Sequence, residues 1–360
     1  MPRLAYTDDL SAEELERFDV IIDVRSPSEF AEDHLPGAIN LPVLDDAERA
    51  RVGTHYTQVS AFEARRMGAA LVSRNIARHL ETALADRPKD FKPLIYCWRG
   101  GMRSQSMGLV LASVGWKATL IEGGYRTWRR QVVAALETGN APHVVLIDGQ
   151  TGTGKTALLH ALATEGEQVI DLEGLAHHRG SIFGDFAGTP QPGQKAFETA
   201  LHDQLRHMDP SRPVFVEAES RQVGHRRVPP RLWDAMQTAP RITVSVPVDE
   251  RARYLVEAYP DLLADAGKLE AAFEGLKSFH AKTRIAEWRA LAQAGDWQSL
   301  ARALVTQHYD PAYNRARKRG TQRGGGHTLE IPRLDEDGIA AAAGRIVSMA
   351  AGMPRPIQAG

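Results

Sequence analysis

The segment His143–Thr156, HVVLIDGQTGTGKT, constrains this chain more than any other. Its apolar, β-branched start reads as a buried strand. Gly149, Gly154, Lys155 and Thr156 then occupy every fixed position of G-x-x-x-x-G-K-[ST]. Glycines let the backbone of such a loop wrap a phosphate chain. Lys155 supplies a point charge, and Thr156 can ligate Mg²⁺. The loop needs a strand before it and a helix after it, so the chain here must be α/β. Gly149, Gly152, Gly154, Lys155 and Thr156 are therefore the candidate phosphate or diphosphate ligands. An acid that could hold Mg²⁺ usually ends a neighbouring strand. Glu217, after Pro213–Val216, is the first candidate and Asp171 the second. No water-activating pattern of an ATPase is evident, so the loop speaks more for diphosphate binding than for ATP hydrolysis.

The 360 residues are enough for two domains, and no internal repeat is visible. Val20–Val24, Leu94–Cys97 and Ala118–Ile121 read as strands, and Ala61–Ala85 as helix. A cluster of small, turn-favouring residues at Thr138–Pro142 divides residues 1–138 from 139–360. In the second part, strands are expected at Gln168–Asp171, Pro213–Glu217 and Ile242–Val246. Residues 249–318 read as mainly helical, Asn314–Gly326 as a basic, glycine-rich mobile loop, and Thr328–Ile331 as a last strand. Asp335–Ala350 should form a closing helix and Pro354–Gly360 a frayed end.

A net charge of −1 means that any nucleic-acid surface must be local. One cysteine excludes an internal disulfide and a cysteine-rich zinc site. The adjacent His177 and His178 would point in different directions, so no structural metal site is expected. The opening MPRLAYTDDLSAEELERF has no apolar run, and no stretch reaches the length of a membrane span. A cytoplasmic, reducing setting with a free thiol is expected.

That thiol is Cys97, in LIYCWRGGMRSQS. A strand ends at Cys97, a glycine-rich turn follows, and a helix should start near Arg103. This arrangement aims backbone amides and a helix N-terminus at one point above the sulfur. Arg99 and Arg103 add charge if they face inward, and each effect favours the reactive thiolate. Such a cradle suits attack on sulfur, selenium or phosphorus carried by an anion. Asp23–Ser26, Glu29–Phe30 and His34–Asn40 resemble the opening signature of rhodanese domains, and Cys97 falls where that family keeps its persulfide-forming cysteine. Cys97 and Arg103 enclose five residues, a longer loop than in small rhodaneses and similar to the Cys-x5-Arg loop of cysteine phosphatases. It could hold a tetrahedral, phosphate-like group, which favours a phosphorylated chalcogen donor over thiosulfate.

Taken together, Cys97–Ser104, Gly149–Thr156, Asp171–Gly184, Val216–Arg221 and His308–Tyr313 resemble the tRNA 2-selenouridine synthases. The resemblance implies an α/β chain. An N-terminal rhodanese-like domain precedes a P-loop NTPase-like parallel-sheet domain with a helical insertion or extension. It implies a transferase that converts wobble 2-thiouridine in tRNA to 2-selenouridine with selenophosphate, through an S-geranyl intermediate made from geranyl diphosphate. Cys97, Arg99 and Arg103 would handle the selenium donor and the P-loop the prenyl diphosphate. Mg²⁺ is an optional ion and no cofactor is tightly bound. The partners implied are tRNA, the two co-substrates and, transiently, selenophosphate synthetase, with no membrane. Arg179, Arg221, Tyr309, Tyr313, Arg315, Arg317 and Lys318 are candidate tRNA contacts, supported by Arg251, Arg253, Lys277, Lys282 and Arg284. Three other readings stand beside this one. They are a rhodanese–kinase fusion activating a small substrate with ATP, a cysteine-dependent phosphatase, and a non-enzymatic, nucleotide-gated tRNA-binding protein.

Overall fold

The computed structural model describes residues 4–179, 189–263, 265–319 and 326–353, without the side chains of 261, 262 and 316–319. The chain separates into two compact units. One comprises Met1–Thr138 with Pro192–His207, the other Gly139–Gln191 with Met208–Gly360.

The first unit holds five strands, β1 (Ala5–Thr7), β2 (Val20–Asp23), β3 (Ala38–Asn40), β4 (Pro93–Tyr96) and β5 (Thr119–Ile121). They form a parallel sheet in the order β1-β5-β4-β2-β3. Every residue of the central β4 is buried, as expected of an apolar run covered on both faces. Helices Ala61–Glu81 and Met102–Val114 contribute Leu71, Ile76, Met107 and Leu111 to a core with Ile22, Ile95 and Leu120. Helix Asp46–Gln58 escapes a periodicity reading because it buries no residue of its own. Its signal is the capping box of Asp45 and Glu48.

Helix Gln194–Arg206 also belongs to this unit, although it lies in the second half of the sequence. Its buried face carries Phe197 and Leu201, one helical turn apart, and packs on helix Tyr125–Thr138. His202 tilts onto the buried Trp128, and Glu198 pairs with Arg129. Thr199 donates to Asp33 Oδ2 at 3.0 Å, the oxygen that also accepts from the Tyr125 hydroxyl at 2.6 Å.

The second unit holds β6 (Val144–Gly149), β7 (Gln168–Ile170), β8 (Val214–Glu217), the short β9 (Gln222–Val223) and β10 (Arg226–Arg227), β11 (Arg241–Ser245) and β12 (Gly326–Glu330). β9 and β10 form an antiparallel hairpin. The other five form a parallel sheet, β12-β11-β6-β8-β7, with β6 in the middle. Helices Lys155–Thr164 and Glu336–Ala351 pack together over it, burying Leu158, Leu162, Ala343 and Ile346 with Ile147 and Val244. Helices Val248–Ala258, Ala266–Leu276, Lys282–Gln293 and Trp297–Leu304 follow β11. The last three share a core of Leu269, Phe273, Ile285, Trp288 and Leu300. A π-helical turn, Val305–Tyr309, leads into helix Asp310–Arg319.

The expected loop from Asn314 is thus helical through Arg319, because the preceding turn runs on without a break. The rest of that loop, residues 320–325, lies outside the described residues, as does the Pro354–Gly360 end. Among the described residues no helix is long and apolar enough to cross a membrane.

Candidate functional site

Both motif loops leave the middle strand of their sheet at its carboxyl end, where open α/β sheets present ligand crevices. In the first unit Cys97 follows β4 and is buried. The Ser104 hydroxyl lies 3.2 Å from its sulfur and 3.1 Å from the Gly101 carbonyl. Helix Met102–Val114 begins from Gly101, and its first loop-to-helix bond runs from the Gln105 amide to the Gly101 carbonyl. Among the described residues, the amides from Trp98 to Ser104 have no hydrogen-bond acceptor. These amides are the free donors that the anion cradle expected of this turn requires.

The loop is held from below. The Tyr125 amide donates to the Cys97 carbonyl at 2.8 Å, and the Arg126 amide to that of Trp98 at 3.3 Å. Asp23 and Arg25 form a buried ion pair at 2.6 Å. The Arg25 guanidinium also donates to the Asp33 carbonyl and lies over the Tyr125 ring, 4.1 Å from its centroid. The DVR segment is therefore a scaffold under the cysteine loop rather than part of its rim.

The two arginines of the loop differ. Arg99 is exposed and makes no ion pair among the described residues. Arg103 turns away to Glu29, at 2.7 Å, and holds that carboxyl below its usual range against the cost of burial. The expectation that Arg103 faces into the cradle fails here. Glu29, in the short helix Pro27–Glu32 after β2, offers the cation a carboxylate, whereas the loop amides are donors and offer it no acceptor.

In the second unit, Thr151–Thr156 line a cavity of about 600 Å³ together with His160, Asp171, Glu173, His177, Arg179 and Glu219, among others. Gly152, at φ +83°, lies against Leu255 and the Arg251 carbonyl and has little room for a side chain. Lys155 Nζ donates to the Gly149 carbonyl at 3.2 Å. Thr156 donates to Glu173 Oε2 at 3.3 Å.

Glu173 is thus the acid that meets the P-loop threonine, in place of the expected Glu217 or Asp171. Asp171 caps the short helix Leu172–Ala176 through the Gly174 amide, at 2.7 Å, and stays in the cavity lining. Glu217 is buried and accepts from the Glu173 amide at 2.8 Å, while its other oxygen has no hydrogen-bond partner. Burial, then the charge of Asp171, pushes its carboxyl well up. The short helix after β7 carries Glu173 back to the loop, which a search for strand-end acids misses. Burial, then the charge of Glu219, raises the Glu173 carboxyl to about 8, and burial also raises that of Glu219, while Lys155 pulls both down. Two carboxyls and a hydroxyl make a hard-oxygen set that fits Mg²⁺.

The residues expected on a tRNA face divide. Arg251 is 1% exposed and clamps the P-loop, donating to the Thr151 carbonyl at 2.7 Å and to Asp310 at 2.7 Å. It is a buried structural cation, not a surface one. Arg253 is held by Glu250 and Glu257, and Lys277 by Glu274. Tyr313 directs its hydroxyl to Asp148 Oδ1, at 3.0 Å, rather than standing clear as a stacking platform. Tyr309 lines a second, apolar pocket. Arg179 lies over Tyr259, 4.5 Å from its centroid, in the phosphate cavity. Arg221, Lys282, Arg284 and Arg315 are exposed. Arg317 and Lys318 lie in helix Asp310–Arg319, with side chains outside the described residues, and Gly180–Gly184 of the predicted polar loop lies outside them altogether.

Two domain families match the chain, a rhodanese-like domain over residues 7–131 and a tRNA 2-selenouridine synthase AAA domain over residues 142–289. A tRNA 2-selenouridine synthase of Aeromonas salmonicida is 38% identical over 347 residues, covering 87% of this chain and 91% of the relative. One of Chromohalobacter salexigens is 40% identical over 246 residues, covering 68% of this chain and 66% of that protein, just under two thirds of its length. One of Cupriavidus necator is 34% identical over 327 residues, covering 81% and 87%.

Proposed function

This chain belongs to the tRNA 2-selenouridine synthase family, and from that premise we propose that it exchanges the sulfur of wobble 2-thiouridine in tRNA for selenium, by way of an S-geranyl intermediate. The observation that carries the reading is the presence of two separate anion cradles, one built around a thiol and one around a lysine and a threonine. In the first step the uridine sulfur attacks the carbon of geranyl diphosphate that bears the diphosphate. The carbon–oxygen bond breaks, diphosphate leaves and the base loses its N3 proton. Lys155 and the P-loop amides stabilise the charge that gathers on the leaving group. Mg²⁺ held by Thr156, Glu173 and Glu219 would supply further neutralisation. In the second step selenium from selenophosphate enters at the base carbon as selenide, the carbon–sulfur bond breaks, and the geranylthiolate departs and takes up a proton, a better leaving group than the unmodified thiocarbonyl. The amides from Trp98 to Ser104, with Arg99, hold the donor, and Cys97 relays its selenium by attacking phosphorus: the P–Se bond breaks, selenide is released toward the base, and water then cleaves the S–P bond to free phosphate and the thiol.

Mass spectrometry of wobble nucleosides tests this. Thiolated tRNA is incubated with geranyl diphosphate and then selenophosphate, using wild type, Cys97→Ser and Lys155→Ala. Lys155→Ala should lose geranylation by at least tenfold. Cys97→Ser should still geranylate and then stall. A wild-type protein inactive at both steps would overturn the reading, and normal selenation by Cys97→Ser would remove the relay.

A further inference from the structure

Beside the phosphate cavity lies an apolar pocket of about 60 Å³, within the same unit. Its wall is aliphatic and aromatic, with Val256, Trp297, Leu300, Ala301, Leu304 and Tyr309 prominent. Thr151, Leu255 and Tyr259 line this pocket and the phosphate cavity alike, so the two adjoin. At the junction Leu255 lies against the P-loop at Gly152, and Tyr259 lies beneath the Arg179 guanidinium. A ligand anchored at Lys155 and Thr156 would therefore meet carbon-lined space on that side.

We propose that this pocket takes the isoprenoid tail of an allylic diphosphate whose head lies in the P-loop. The inference rests on the prenyl-diphosphate reading above and adds to it the residues that hold the tail. The lining changes from the amide and ammonium donors around Lys155 in the phosphate cavity to hydrocarbon around Leu300 in the apolar pocket. That is the polarity of a prenyl diphosphate. A nucleoside triphosphate would direct a polar ribose and base edge, with hydrogen-bonding groups to satisfy, toward the same wall. The volume is also selective. One buried water needs roughly 10–15 Å³, so the pocket has room for about four to six waters. That is the scale of one five-carbon unit, with the inner unit at the junction beside Leu255 and Tyr259. The pocket thus sets tail length, favouring a two-unit tail over a three-unit one.

The test uses the full chain without tRNA, so that no turnover occurs. Affinities are measured for inorganic pyrophosphate, geranyl diphosphate and farnesyl diphosphate. Ala301→Phe fills the pocket, Val256→Phe fills it from another helix, and Leu300→Ala enlarges it. Burial of about two methylene groups is already worth roughly tenfold in affinity. Wild type should bind geranyl diphosphate at least tenfold more tightly than pyrophosphate. Each filling variant should lose that advantage while keeping pyrophosphate affinity within twofold, which also shows that the P-loop is folded. Leu300→Ala should shift preference toward farnesyl diphosphate. Wild type that binds pyrophosphate and geranyl diphosphate equally overturns the tail pocket alone. So do filling variants that keep both the P-loop and the full geranyl advantage. Wild type that binds neither ligand overturns the prenyl-diphosphate reading itself, and the pocket with it.

Discussion

A methyl group on Gly124 would sit 2.3 Å from the Cys97 carbonyl oxygen and 2.5 Å from the Gly100 amide nitrogen, and the residue holds φ at +64°. Both obstructions are backbone, so no side-chain rotation relieves them. The turn after β5 and the cysteine loop are pressed together at this glycine, and the Tyr125 amide fixes their register through the Cys97 carbonyl. Gly124→Ala should therefore destabilise the first unit by about 2–4 kcal/mol, combining left-handed strain with a forced loop shift. Urea unfolding would measure it, and a change below about 0.5 kcal/mol would contradict the packing described. Arg251 makes a parallel case in the second unit. Charge counting places it on a surface, yet its guanidinium is spent on the Thr151 carbonyl, Gln150 and Asp310. The same residue type at Arg99 is exposed, and only the fold separates the two roles.

At the scale of elements, helix Gln194–Arg206 shows how a segment distant in sequence completes a unit. Its His202 is half-buried on Trp128, and burial, followed by the charge of Arg206, pushes the imidazole down to about 4. The unfolded chain takes up a proton near pH 6.5, whereas the folded chain resists it until about pH 4. Between those values the unfolded state binds more protons, so stability falls as pH is lowered through that window. The docked helix should loosen on acidification, and His202→Gln should flatten the dependence. Urea midpoints at several pH values from 7 down to 4.5 check this, and parallel curves for the two proteins would refute it. The short helix Leu172–Ala176 has a different consequence. By reversing the chain after β7 it brings Glu173 to Thr156, and a strand running on in its place would carry that carboxyl away.

For the whole molecule, the chain passes between its units three times, after Thr138, Gln191 and His207. Residues 1–138 expressed alone would lack the docked helix. Phe197 and Leu201 are each worth roughly 1.5–3 kcal/mol when fully buried, so the loss is on the order of 3–6 kcal/mol, comparable to the stability of many domains. The fragment should bind a hydrophobic dye and unfold over a broad range, and a peptide of residues 192–207 should restore a sharp transition. A dye-free, cooperative fragment would contradict this. The α/β class, the thiol turn and the phosphate loop were all legible in sequence, because each depends on local pattern: apolar runs, glycines at fixed spacing, a lysine and a threonine in register. β1 and β3 were not, because they bury no residue fully and so carry no apolar run, unlike the equally short β5 and β7, nor was helix Asp46–Gln58, which has no fully buried residue. Sequence alone thus determined which loops can hold an anion. Tertiary structure decided that Arg103 pairs with Glu29, that Glu173 rather than Glu217 meets Thr156, and that hydrocarbon adjoins the P-loop. Those outcomes depend on groups distant in sequence competing for the same charge or space, and such competition leaves no mark on local spacing.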